Sequence, residues 1–209
     1  MRKKHVRKML RNMASGEPVR MAVSMSSWEG LARLAFVAEQ FGYAYADLQL
    51  TGDNKFALFI VPDPSPQARQ RAARNRARYP DAGDGVSLPP VVPDAIEILK
   101  ARMVVDSGSQ YSDKVRMGLA VFALTALAAS IGFTLRADSV ALAVVGVVWA
   151  ALMALLPLLL VYSRRYRTRN AARLEAAGFT PVTDRSGRLR YVPPGGQLPG
   201  HGSPFASGS

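Results

Sequence analysis

Two long apolar stretches follow one another in the second half of this chain. Residues 117–135 are nineteen positions without a charge, and residues 140–161 are twenty-two. At a helical rise of about 1.5 Å per residue, either stretch is long enough to span the roughly 30 Å hydrocarbon core of a bilayer. Only residues 136–139 separate them, so the second helix must turn straight back. The pattern predicts a two-span hairpin with transmembrane helices over 115–135 and 140–162.

Charged residues beside the spans predict their orientation. Basic residues border the outer ends of the two spans: Lys114, Arg116, Arg164, Arg165, Arg167 and Arg169. The loop over 136–139 carries a single basic residue, Arg136, which Asp138 balances. Because basic flanks favour the cytoplasmic side, we expect both termini in the cytoplasm of a cell-membrane protein and the loop outside.

The first residues, 1–14, have the pattern of a basic amphipathic helix. Its apolar positions fall at i, i+3, i+4 and i+7, namely Val6, Met9, Leu10 and Met13. The other positions carry Arg2, Lys3, Lys4, Arg7, Lys8 and Arg11. Such a helix can lie on an anionic membrane or a phosphate backbone, or its apolar stripe can pack on the following domain. We favour contact with membrane or nucleic acid.

Residues 20–79 have the pattern of a small cytosolic α+β module. Ser26 and Glu29 have the spacing of a capping box, which predicts a helix running to Phe41. Two β-rich segments, 43–50 and 56–61, then flank a polar turn with glycine, which predicts a hairpin. A helix and one hairpin bury little surface, so this module is expected to need a neighbour to complete its core.

The module is predicted to end in an arginine-rich helix. Ser65 and Pro66 suit the N-cap and the first turn. The helix carries five arginines: Arg69, Arg71, Arg74, Arg76 and Arg78. No residue in it is apolar enough to demand burial, so we expect it to be solvated or bound to a polyanion.

The remaining segments complete the expected organisation. Residues 80–94 are rich in Pro and Gly and predict a linker, and 95–110 predict a juxtamembrane helix. Residues 163–192 predict a basic stalk followed by a small β-hairpin with strands over 179–183 and 189–192. Residues 193–209 are rich in Gly, Pro and Ser, and a disordered tail is expected there. The predicted fold class is therefore a two-span α-helical membrane hairpin with a small cytosolic α+β module and a basic C-terminal part.

Composition narrows the function. The chain has 27 Lys and Arg against 15 Asp and Glu, a net charge of +12 that exceeds what membrane orientation requires. Nucleic acid or the anionic leaflet is therefore the expected partner. There is no cysteine, and the two histidines, His5 and His201, lie in terminal segments without a catalytic partner. No phosphate-binding loop or metal-ligand spacing occurs, so we expect neither a cofactor nor enzyme activity.

Small residues recur at close-packing spacing within the spans. They are Ala128 and Gly132 in the first helix and Gly146, Ala150 and Ala154 in the second. Such spacing lets helix backbones approach closely. Packing within the hairpin is the favoured interpretation, and association between copies of the chain is the alternative.

The architecture resembles the accessory "spread" membrane proteins of actinomycete conjugative plasmids. Two segments carry the likeness, GDNKFALFIVPDP at 52–64 and LEAAGFTPVTDR at 174–185, together with the Ala/Arg-rich composition. The resemblance implies a non-catalytic membrane factor that helps plasmid DNA move between hyphal compartments beside a separate motor protein. It assigns no role to any individual residue.

These observations lead to two functional hypotheses. The first is a membrane protein whose basic cytosolic part binds nucleic acid without sequence preference, or a nucleoprotein complex, and so assists plasmid transfer between cells. The second is a structural scaffold that binds anionic lipid and associates through its hairpin. A pore is disfavoured because the spans are uncharged and the cytosolic module is large.

Overall fold

The computed structural model describes residues 3–24, 27–51, 55–108, 112–135, 139–184 and 187–194. The chain forms two compact units. Unit 1 comprises Met1–Ser109 together with Asn170–Ser209, and unit 2 is Gln110–Arg169. Unit 1 is thus built from both ends of the chain, and unit 2 is inserted between them.

Unit 1 has an α+β fold. Its N-terminal part contains α1 (Lys3–Met13), β1 (Val19–Ser24), α2 (Trp28–Gln40), β2 (Tyr43–Thr51), β3 (Lys55–Pro62), α3 (Pro66–Arg78), a 3-10 turn (Pro80–Asp84) and α4 (Pro93–Gly108). Its C-terminal part contains the end of α6 (Ser139–Ala176), then β4 (Thr180–Thr183) and β5 (Leu189–Val192). The predicted hairpins are confirmed, since β2 pairs with β3 and β4 with β5, each antiparallel.

The sheet of unit 1 has a third strand that the sequence pattern did not reveal. β1 pairs antiparallel with β3, so the strand order is β1-β3-β2. Alternate residues of all three strands form one core with α1, α2 and α4. The module therefore has a larger core than a helix and one hairpin would supply.

Two predicted features near α2 and the linker differ from the structure. The N-cap of α2 is Ser27, whose hydroxyl accepts from the Gly30 amide, whereas the predicted cap Ser26 lies outside the described residues. The predicted linker contains the 3-10 turn, and its Ala82 is buried in the core. The beginning of this segment is therefore a packed part of unit 1.

Helix α4, for which the sequence predicted only a juxtamembrane position, is a core element of unit 1. It begins at Pro93, and Ile96, Leu99 and Met103 join the main core beside α2. Ala101 and Val105, on another side, form a second cluster with Leu174 and Tyr191. Both clusters bury apolar side chains, which explains why α4 lacks the one-sided apolar pattern of a surface helix.

Unit 2 contains the two predicted apolar helices. α5 spans Asp113–Thr134, and α6 begins at Ser139 and runs through the remainder of the unit. Both are long and apolar enough to cross a membrane. Large apolar side chains point outward along them, with Phe122 and Phe133 each 72 % exposed and Leu158 65 % exposed. Residues 136–138 of the predicted loop and residues 195–209 of the predicted disordered tail lie outside the described residues. Ser139, predicted as the last residue of the loop, is the first residue of α6.

Candidate polyanion-binding surface

The apolar stripe of α1 is part of the core of unit 1. Val6 and Met9 are fully buried, Met13 is nearly so, and Leu10 packs against the same cluster. The hydroxyl of Tyr43 in β2 donates to the Met13 carbonyl at 2.8 Å and fixes the end of the helix. Packing of the stripe on the following domain, the alternative predicted from the sequence, is therefore confirmed. Contact of the remaining cations of α1 with membrane or nucleic acid stays a prediction.

Burial of one side of α1 leaves its cations on the other. Lys3, Lys4, Arg7, Lys8 and Arg11 are all exposed, and Arg2 lies outside the described residues. Four of them surround a shallow depression of about 460 Å³ together with Asn12. Since positions 4, 7, 8 and 11 recur at i, i+3, i+4 and i+7, these side chains share one helical face. The helix contains no acidic residue. We call this set of five cations the α1 basic face.

Close packing against the 3-10 turn also fixes the start of α1. Gly85 follows that turn with φ of 68°, a conformation that favours glycine. A Cβ at this position would lie 3.0 Å from the Lys3 carbonyl oxygen and 3.6 Å from the Val6 side chain. The turn and the helix therefore touch through backbone, and the α1 basic face is presented on a fixed support.

The arginine-rich helix α3 is confirmed, but its two sides are not equivalent. Ser65 caps it by accepting from the Ala68 amide, and Ala68 and Ala72 are buried. A Cβ added to Gly42, just after α2, would lie 3.0 Å from the Ala72 Cβ. One side of α3 therefore packs closely against the end of α2, contrary to the expectation of a helix with nothing to bury.

Two of the five candidate arginines serve this packing. Arg71 Nε donates to the Glu39 carbonyl at 3.0 Å, and Arg76 Nη2 donates to the Phe41 carbonyl at 3.3 Å. Asn75 donates to the Gln40 carbonyl at 2.8 Å. These are the last carbonyls of α2, which have no partner within the helix. Arg76 is nevertheless exposed, as are the remaining three, Arg69, Arg74 and Arg78.

The small residues of the two apolar helices also differ in exposure. Ala128 and Gly132 lie on the partly covered side of α5, and a Cβ on Gly132 would meet Leu142 of α6 at 3.6 Å. Gly146, Ala150 and Ala154 are exposed, and a Cβ on Gly146 would meet no atom within 4 Å. Packing within the hairpin therefore applies to α5 but not to these three residues of α6, which face outward.

A buried ionic cluster in unit 1 was not predicted. Arg190 of β5 reaches into the module, where its Nη2 lies 3.4 Å from Asp47 Oδ1 and 3.8 Å from Asp106 Oδ2. Tyr45 donates to Asp106 at 2.9 Å, and the Arg102 guanidinium lies 4.9 Å from the centre of the Tyr45 ring. We call these five residues the Arg190 cluster.

The geometry of the sheet creates the site for Arg190. The pairing of β2 with β3 shifts between Tyr45 and Asp47, which marks a β-bulge at Ala46. The Ala46 carbonyl accepts a hydrogen bond from Arg190 Nη2. The only advance signal in the sequence was the break in alternation along Tyr43–Thr51, and nothing local linked it to a residue so far along the chain.

Burial perturbs two carboxyl groups of unit 1. Burial raises the pKa of Asp106, while Arg190 and Arg102 oppose the rise. Burial also raises the pKa of Glu39 to about 7, against the opposing charges of Arg102 and Arg71. Buried carboxyls with shifted pKa values occur at catalytic sites and in structural ion-pair networks alike. Neither residue lines the depression beside α1 or the one formed by Val161, Arg164, Arg165, Thr168 and Arg169, and the described residues contain no group of three or more metal-ligating side chains.

Comparison with known protein families, curated proteins and solved structures finds no match for this chain. Its function must therefore be inferred from the arrangement of its own residues.

Proposed function

We propose that this chain is a non-enzymatic integral membrane protein that binds nucleic acid through the α1 basic face. The observation that supports this proposal is the separation of apolar and basic residues on opposite sides of α1. Its apolar residues are held in the core, and five exposed cations without an acidic residue in the helix face solvent. A fixed row of cations without base-reading side chains suits a phosphate backbone, and it supplies affinity without sequence preference.

The proposal also holds that α5 and α6 cross the cell membrane with both chain ends in the cytoplasm. The outward-facing apolar side chains of both helices support insertion, because such exposure is unfavourable in water. Residues on both sides of unit 2 fold together in unit 1, which supports placing both on one side of the membrane. The basic flanks favour the cytoplasmic side.

For the biological process, we propose assistance to the transfer of plasmid DNA between cells, as the likeness to spread proteins suggests. In that role the chain contributes a membrane-bound DNA contact, and a separate motor protein supplies the energy. Arg69, Arg74 and Arg78, the exposed cations of α3 that do not bond the end of α2, offer a second contact of the same kind.

The test is duplex-DNA binding by the full chain in neutral detergent across a salt series. The variant Lys4→Gln/Arg7→Gln/Lys8→Gln removes three charges from the α1 basic face. If each cation neutralises one phosphate, the slope of log affinity against log salt should fall by about 2.7, at roughly 0.9 per contact. The full chain is used because the N-terminal part of unit 1 alone would lack Arg190, which contacts Asp47 and Asp106.

A matched control removes the same charge from another helix. Arg69→Gln/Arg74→Gln/Arg78→Gln leaves the packing residues of α3 in place. A smaller loss for this control assigns the contact to α1. Equal losses from both variants would mean that net charge alone governs binding, and absence of DNA binding by the parent chain would refute the proposal.

The outward-facing small residues of α6 favour a second candidate, a scaffold that binds anionic lipid and associates through its hairpin. Gly146, Ala150 and Ala154 are free to meet another helix within the membrane. If this candidate is correct, Ala150→Leu should reduce self-association in sedimentation experiments, whereas Leu158→Ala should not. Attachment to anionic vesicles without DNA binding would favour this candidate.

A further inference from the structure

Four arginines follow the apolar part of α6 within six residues, and the structure assigns them to two different roles. Arg164 Nε lies 2.6 Å from Asp113 Oδ2, and Arg167 Nη2 lies 2.7 Å from Asp113 Oδ1. Asp113 is the first residue of α5, so these two arginines join the helices of unit 2. The two positive charges share the single negative charge of Asp113, so this group keeps a net charge of +1.

Arg165 and Arg169 are on a different face of α6. They are exposed, and neither makes a hydrogen bond or ion pair with another residue in the part of the chain that the structure describes. Spaced at i and i+4, they stand one above the other on the helix surface. Between them Thr168 uses its hydroxyl proton to donate to the Arg164 carbonyl at 3.0 Å, and its small side chain leaves room for a ligand.

These residues surround a shallow depression of about 420 Å³. Its lining consists of Val161, Arg164, Arg165, Thr168 and Arg169. Val161 is one turn before Arg165, and Leu158 is a further turn toward the middle of the apolar stretch. Both are exposed, at 48 % and 65 %. The face therefore changes from apolar to cationic within about 6 Å of helix, at 1.5 Å per residue.

We propose that Arg165 and Arg169 bind the phosphate of an anionic phospholipid in the cytoplasmic leaflet, with the acyl chains against Val161 and Leu158. Two adjacent guanidinium groups can donate several hydrogen bonds to phosphate oxygens. Tyr162, which is 70 % exposed beside this face, suits the boundary between headgroups and acyl chains. Along the helix axis, apolar, aromatic and cationic side chains follow one another in the same order as the acyl chains, the interfacial region and the phosphate of a phospholipid.

This inference rests on the proposed membrane insertion of α5 and α6, but not on DNA binding. The test is native mass spectrometry of the full chain released from nanodiscs that contain equal amounts of phosphatidylglycerol and phosphatidylcholine. We expect retained phosphatidylglycerol in excess of phosphatidylcholine. Arg165→Gln/Arg169→Gln should lower the apparent affinity for phosphatidylglycerol by about tenfold, because each cation near an anionic membrane surface strengthens binding severalfold.

A matched control removes two charges from the same end of the hairpin. Lys114→Gln/Arg116→Gln acts on exposed cations of α5 and leaves Asp113 and its two partners intact. Retention of phosphatidylglycerol by this control supports a site on α6. Equal loss in both variants, or no preference in the parent chain, would overturn the inference.

Two further results separate the possible sources of failure. If the chain does not enter nanodiscs at all, the proposed membrane insertion fails and the lipid site fails with it. If it enters but shows no preference, only the lipid site fails. Displacement of bound lipid by duplex DNA or by 10 mM inorganic phosphate, roughly a physiological level of the ion, would identify a general anion site and would also overturn the assignment to phospholipid.

Discussion

Two leucines of the same helix show how differently the units treat apolar side chains. Leu174 of α6, in unit 1, is fully buried, whereas Leu158 of α6, in unit 2, is 65 % exposed. Charged groups show the opposite contrast. The Asp106 side chain in unit 1 is only 2 % exposed. The ion pairs described in unit 2 join the first residue of α5 to Arg164 and Arg167, which follow the apolar part of α6. Unit 1 thus buries its apolar side chains, as a domain in water does. Unit 2 exposes them, as expected of a protein surface in contact with lipid.

The largest expected difference between the units is the cost of removing a buried charge from unit 1. Arg190→Ala leaves the carboxylates of Asp47 and Asp106 without their shared partner in a buried site. We expect a loss of about 3–5 kcal/mol in the stability of unit 1. Thermal unfolding followed by fluorescence of Trp28, in a Trp149→Phe background, measures it.

Arg173→Ala is the control for that experiment. Arg173 also belongs to unit 1, but its side chain is 68 % exposed and lies 3.7 Å from Glu97. An effect below about 0.5 kcal/mol is expected. If Arg190→Ala were as mild, the C-terminal hairpin would not be an integral part of unit 1.

A pair of apolar truncations sharpens the comparison between the units. Met103→Ala removes a fully buried side chain from the main core and should cost about 2–5 kcal/mol. Leu158→Ala removes an outward-facing side chain, and in detergent it should change the unfolding of unit 2 very little. Similar costs for both would mean that Leu158 is packed against protein.

The pH dependence of unit 1 should reveal a carboxyl that is unfavourable when charged. The pKa of Glu39 is about 7 in the folded state against 4.5 ordinarily, so the folded state keeps a proton that the unfolded state releases. Stability is then fully present below about pH 4.5 and falls as the pH rises through 7. For a shift of this size the loss is of order 3 kcal/mol.

Glu39→Gln should remove this loss. Its melting temperature should change less between pH 5 and pH 8 than that of the parent chain, and it should exceed the parent at pH 8. An identical pH dependence in the two proteins would show that Glu39 titrates normally.

The smallest effect is expected from the ion pairs of unit 2. Asp113→Asn weakens the contacts to Arg164 and Arg167, whose side chains are 57 % and 25 % exposed. Pairs with this exposure contribute about 1 kcal/mol or less. Unfolding of the hairpin, followed through Trp149, should therefore shift by only a few degrees. If the unfolding temperature fell as much as it does for Arg190→Ala, the proposed difference between the buried charges of unit 1 and the ion pairs of unit 2 would be wrong.

The sequence predicted elements whose signals are local. The two apolar helices, α1, α3 and both hairpins follow from residue periodicity, turn residues and caps such as Ser65. β1 was missed because its partner, β3, is distant in sequence and its own six residues, VRMAVS, are too short to be distinctive. α4 was misinterpreted because burial on two sides removes the periodic signal of a surface helix.

The sequence predicted which cations belong to the candidate site, but it did not predict which of them make contacts within the protein. Counting arginines could not separate Arg71 and Arg76, which bond the end of α2, from the exposed Arg69, Arg74 and Arg78. That separation depends on where α3 docks, which is a tertiary property. The Arg190 cluster was invisible for the same reason, since its members come from three distant parts of the chain.

The most direct test of this account is accessibility of single cysteines in intact cells, which is straightforward because the chain has no cysteine of its own. Ala14→Cys and Ala177→Cys report on the two parts of unit 1, and Asp138→Cys reports on the loop between the spans. A membrane-impermeant maleimide added outside should label only Asp138→Cys, and the other two should react after the membrane is permeabilised. Labelling of all three from outside, or of Ala14→Cys and Ala177→Cys from opposite sides, would contradict a cytoplasmic domain built from both ends of a chain that crosses the membrane twice.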